Sequence, residues 1–74
     1  MPREPIVSTS IASIGYAAMS SMLEVEYVNG GVYQYMGVSA DEHQALMDAS
    51  SKGEHVNRYI RGCFSFRKVA GGGR

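Results

Sequence analysis

The stretch NGGVYQYMGVS, residues 29–39, decides how this chain folds. Tyr33 and Tyr35 stand one residue apart in a short apolar run, directly after a glycine-rich turn. Ahead of the turn, MLEVEYV (residues 22–28) alternates: Leu23, Val25 and Tyr27 face one way, Glu24 and Glu26 the other. Asn29-Gly30-Gly31 is a strong hairpin signal, so residues 32–37 return as the partner strand. Two registers compete. A two-residue loop, Asn29-Gly30, sets Tyr33 against Glu26 and Tyr35 against Glu24. A three-residue loop with a left-handed glycine sets Tyr33 against Tyr27, Tyr35 against Val25 and Gln34 against Glu26. Slipping a strand by one residue turns every side chain to the other face. Only the three-residue loop sorts apolar with apolar, and it makes both tyrosines core residues rather than an exposed stacking platform. Glu24, Glu26 and Gln34 are then expected to face solvent.

Working outward, IASIGYAA (residues 11–18) places Ile14, Tyr16 and Ala18 at alternate positions and reads as a first strand, joined to the second by a tight Met19-Ser20-Ser21 connection. Residues 1–7, with Pro2 and Pro5, read as a flexible leader without periodicity. On the other side, Ser39 and Glu42 form a capping box, and His43, Leu46, Met47 and Ser50 follow at helical spacing. A helix over Ala40 to about Ser50 is expected, stopped by Gly53. A second helix is expected from Glu54, with Val56, Tyr59, Ile60 and Cys63 on its apolar stripe. Residues 64–69 read as a short strand or an extended end, and residues 70–74 as a flexible tail. The expected fold is α+β: a single domain with its core over residues 8–69, a three-stranded antiparallel meander packed on one face by two short helices.

The chain has 74 residues and a single cysteine, which allows no internal disulfide and fits a cytoplasmic setting. A domain this short buries only about 60% of its unfolded surface, so its core is thin. No apolar run is long enough to span a bilayer, and the opening residues contain no signal-peptide core. The formal net charge of zero hides a strong asymmetry. Up to Ser51, Arg3 stands against Glu4, Glu24, Glu26, Asp41, Glu42 and Asp48, a net of −5. Beyond it, Lys52, Arg58, Arg61, Arg67, Lys68 and Arg74 stand against Glu54, a net of +5.

No catalytic constellation is legible. Cys63 falls on the expected apolar stripe, where a thiol is inert. His43 falls on the stripe of the first helix, and His55 at the expected start of the second. Two histidines and one cysteine lack any zinc-site spacing, and there is no phosphate-binding loop. The expectation is therefore no enzyme, no cofactor, no metal and no small-molecule substrate.

The order of these pieces resembles the KTSC domain, named for the C-terminus of some lysyl-tRNA synthetases and found also as a stand-alone bacterial protein. The likeness runs over about residues 8–68 and is carried by Gly15, Tyr16, Leu23, Val25, Gly30, Tyr33, Tyr35, Ser51, Gly53, Asn57 and Ile60. His55 departs from it, standing where the family has an aromatic residue. The resemblance implies a structural part for Tyr33, Tyr35, Ser51 and Gly53, and an RNA-binding role, with tRNA or another structured RNA as partner. Lys52, Arg58, Arg61, Arg67 and Lys68 would then contact phosphates, with Asn57 adding hydrogen bonds. A solvated basic helix face is the plain alternative. A protein-interaction adaptor and a module that pairs with its own copy also fit the residues.

Overall fold

The structure, a computed structural model, describes residues 3–71. Five strands form one antiparallel sheet in chain order: β1 Glu4–Pro5, β2 Ile11–Ala17, β3 Met22–Tyr27, β4 Val32–Met36 and β5 Phe66–Ala70. Helix α1, Ala40–Asp48, and the short α2, Lys52–His55, which runs on as a π-helical turn over Val56–Ile60, cover one face. The fold is thus α+β; the strand read over residues 64–69 forms as β5, so that only β1 goes beyond the expected elements. The leader reading missed β1, which pairs Glu4 with Ile14 and Pro5 with Ser13. Two residues are too few to show a period, so that strand left no trace in the sequence. The ends of the expected tail and leader, residues 72–74 and 1–2, lie outside the described residues.

The hairpin confirms the faces and corrects the register. The loop has three residues, but they are Val28, Asn29 and Gly30 rather than Asn29–Gly31. Gly30 takes the left-handed conformation (φ 95°) and its N–H donates to the Tyr27 carbonyl at 2.9 Å. The Asn29 side-chain oxygen accepts from Gly31 N–H at 2.9 Å, which draws Val28 into the turn. Tyr33 consequently faces Val25 rather than Tyr27, Tyr35 faces Leu23 rather than Val25, and Gln34 faces Glu24 rather than Glu26. A shift of two residues preserves the pleat, so Tyr33 and Tyr35 share a face with Leu23, Val25 and Tyr27.

Ile11, Ile14, Leu23, Val25, Tyr35 and Val38 from the sheet side meet Leu46, Val56 and Ile60 from the helices. Each fully buried Leu or Ile contributes about 2 kcal/mol through removal from water. The capping box forms as expected: Glu42 N–H donates to Ser39 Oγ at 3.1 Å and Ser39 N–H to Glu42 Oε1 at 2.8 Å. The helix ends earlier than expected, at Asp48, and Gly53 does not stop it. Ser51 caps α2, and Gly53 lies inside that helix, where a β-carbon would come within 2.9 Å of Ser10 Oγ. The glycine therefore marks a close approach between α2 and the β1–β2 connection, not a helix end. Of the expected stripe, only Val56 and Ile60 are buried; Tyr59 is exposed and Cys63 lies exposed in the turn beyond the helix. The π-helical turn widens the spacing on which the stripe was counted.

Glu24 is not solvent-facing. It is 9% exposed, on the central strand of the open face. Its Oε1 accepts from Gln34 Nε2 at 2.8 Å, and Arg3 Nη1 lies 3.2 Å from its Oε2. Arg3 reaches it from the edge because the residue between them in the row, Gly15, has no side chain. Arg67 Nε closes the row by donating to Gln34 Oε1 at 3.1 Å. Nearby, Ser13 Oγ donates to Glu26 Oε1 at 2.7 Å. Burial of a carboxylate is tolerated here because these donors replace water.

Candidate nucleic-acid interface

On the helix-covered face, the helical layer stops short of β5, all of whose residues are exposed. The uncovered part is a groove of about 710 Å³, lined by Tyr27, Tyr33, Tyr35, Phe66 and Arg61. Strand alternation supplies its aromatic wall. Tyr33 and Tyr35 project to this side of β4, and Phe66 does so from β5, opposite Tyr35. The Phe66 ring lies 5.8 Å from Tyr33 and 5.8 Å from Tyr35, between centroids. Tyr27 meets Tyr33 edge-on at 5.6 Å. These are ordinary aromatic packing geometries, and they fix the rings. The Tyr27 and Tyr35 hydroxyls are 2.9 Å apart and share a hydrogen bond. Burial first, and then the Tyr35 hydroxyl, raises the Tyr27 phenol well above its ordinary pKa, with Arg61 pulling the other way. Tyr35 is 2% exposed and Phe66 55%, so the groove grades from core to surface along one pair of strands.

Two cations border the groove. Arg61 follows the π-helical turn in extended backbone, and Gly62 takes a positive φ of 81° as the chain reverses toward β5. Arg61 Nη1 donates to Asn57 Oδ1 at 3.1 Å, which steadies the guanidinium at the rim. Lys68, next on the same side of β5 as Phe66, holds its Nζ 6.0 Å from the centre of the Tyr33 ring.

The six residues expected to bind nucleic acid do not form one patch. Arg61, Lys68 and Asn57 come together at or beside the groove. Arg67 does not, because neighbours in a strand point to opposite faces, and it joins the Glu24 row instead. Lys52 Nζ donates to the Ala49 carbonyl at 2.9 Å and completes the end of α1. Arg58 is exposed but paired with Glu54 at 3.2 Å. Period-two alternation over residues 64–69 could have separated Arg67 from Lys68 and put Lys68 on the face of Phe66. Nothing in the sequence alone showed that the helices leave β5 uncovered. Among the family-type residues, Ser51 caps α2 and Gly53 admits its close approach, both structural parts.

A second hollow of about 330 Å³ lies where β1 and β2 meet α1, and there the His43 ring stacks on Tyr16 at 4.4 Å and 9°. Burial lowers the His43 pKa from its ordinary value, against a smaller upward pull from Glu4. Among the described residues, no group of three His, Cys, Asp or Glu side chains is placed to hold a metal ion.

A family model of the KTSC domain matches residues 7–64. The fold is closely similar to the crystal structure of a KTSC domain protein from Yersinia pestis, with a TM-score of 0.91 and 42% identity over 93% of this chain and 97% of that one. An uncharacterized protein of Stutzerimonas stutzeri is 38% identical over 61 residues, covering 82% of this chain and 86% of its own length. A lysine–tRNA ligase of Nostoc punctiforme is 33% identical over 60 residues, 81% of this chain but 11% of the ligase.

Proposed function

This chain belongs to the KTSC domain family, and we propose that it is a small binding module that meets nucleic acid, RNA foremost, through its groove side. The observation that carries this reading is the division of charge across the sheet. Arg61 and Lys68 border an aromatic groove on one face, while Glu24 and Glu26 are held on the other by Arg3, Gln34 and Ser13. A neutral total therefore leaves a locally cationic surface at the groove, and a phosphate backbone can approach it without facing the acids. Likeness to a segment of lysine–tRNA ligases, enzymes named for an RNA substrate, points the same way. A cytoplasmic setting belongs to the proposal, since the one cysteine permits no internal disulfide.

The test is fluorescence anisotropy with labelled single-stranded RNA, tRNA and duplex DNA over a series of salt concentrations. Affinity should fall steeply as salt rises. Replacing Arg61 and Lys68 together by glutamine should lower the salt slope by about two, one for each lost phosphate contact. Absence of salt-dependent binding at low ionic strength removes the reading. A protein-adaptor reading rests on a separate observation, the free edge of β5 with Phe66 and Val69 55% and 41% exposed. An open edge can accept an added strand.

A further inference from the structure

Resting on that reading, we propose that the groove receives one unpaired nucleotide, its base against Phe66 and Tyr33 and its phosphate between Arg61 and Lys68. The ligand class is thus a single strand or a free nucleotide rather than a duplex. Three features of the groove converge on this. Its aromatic wall ends in a presented ring: Phe66 is 55% exposed, although it lies in a sheet row with the buried Tyr35. A base offers the flat apolar face that such a wall lacks, and stacking of this kind is tolerant of sequence. Its floor is polar at one point. The Tyr27 and Tyr35 hydroxyls share a single hydrogen bond, so one of their two protons remains available to an acceptor on a base edge. Cations stand at it: Arg61 lines the groove and Lys68 lies beside its Tyr33 wall, with no acidic side chain among the lining residues. The volume of about 710 Å³ falls within the range of small-ligand sites. Bases locked in a double helix present only their edges and cannot lay a face against these rings.

The experiment compares a short oligoadenylate, an abasic oligomer of the same length, the matching duplex and AMP. Each is titrated into the wild-type chain and into Tyr33→Leu and Phe66→Leu, whose cations are intact. Phe66 is largely exposed, so Phe66→Leu should keep the fold even if Tyr33→Leu does not, and circular dichroism checks both. The wild type should bind oligoadenylate about ten-fold tighter than the abasic strand or the duplex, the scale of one stacked base. Phe66→Leu should lose that preference and leave abasic binding unchanged. AMP that binds and shifts the Tyr33 and Phe66 ring signals supports the site with a free nucleotide as its source. AMP that is silent beside a base-dependent oligomer supports it with a strand as its source. Equal binding of oligoadenylate and abasic strand, with AMP silent, overturns the nucleotide site and leaves the backbone reading standing. If the wild type binds none of the four at low salt, both fall.

Discussion

Replacing Tyr35 by alanine separates the two tyrosines of the hairpin by what each touches. Tyr35 is 2% exposed, faces Leu23 across the strands and bonds through its hydroxyl to Tyr27. Truncating a buried aromatic to alanine costs about 3–5 kcal/mol. Tyr35 borders the groove, so water can enter part of the space left behind and rehydrate the Tyr27 hydroxyl, which puts the expected cost near the lower end, about 3 kcal/mol. Tyr33 lies between core and solvent on the groove wall. With less area to lose and no closed cavity to leave, Tyr33→Ala should cost about 1–2 kcal/mol. Tyr35→Phe, which removes only the hydroxyl, should cost about 1 kcal/mol. A domain of this size has about 4–11 kcal/mol in hand, so Tyr35→Ala should stand close to the edge of folding. Urea unfolding followed by far-ultraviolet circular dichroism measures all three. If Tyr33→Ala costs as much as Tyr35→Ala, the division of this pair into core and groove is wrong.

Ser39→Ala should cost about 1 kcal/mol in the same assay, because Glu42 N–H loses its acceptor. Gly53→Ala should destabilise the fold despite the better helix propensity of alanine, since the new methyl meets Ser10 Oγ at 2.9 Å and Ser10 Cβ at 3.2 Å; adding Ser10→Gly should restore the loss. His43, with its pKa held below the ordinary value, binds fewer protons in the folded than in the unfolded chain. Its contribution is therefore present above the unfolded pKa and is lost as pH falls through it toward the folded value. The urea midpoint should drop as pH falls below the ordinary imidazole value of 6.5, and His43→Gln should flatten that drop.

How much of this was legible beforehand differs from element to element. The faces of the hairpin were readable because the pleat has a period of two, and any error of two residues leaves them intact. The register itself was not, because it turned on which glycine took the left-handed conformation and on the Asn29 side chain closing the turn. The capping box was legible because its contacts are local. Burial of Glu24 was hidden, since the expected register set Gln34 against Glu26 and nothing in the sequence brought Arg3 to the sheet. The candidate site was half legible. Arg61 and Lys68 were marked by charge, but the groove between them depends on where the helices end over the sheet, a tertiary fact with no local signature.

The central claim is that nucleic acid approaches the groove face and not the acidic one. The most direct measurement is an NMR titration of labelled protein with single-stranded RNA at low salt, read at side chains. Shifts should gather on the rings of Tyr33 and Phe66 and on the Arg61 guanidinium, while the Gln34 carboxamide and the Arg67 guanidinium, on the opposite face, stay still. Shifts gathered on Gln34 and Arg67, or none anywhere, would contradict the account.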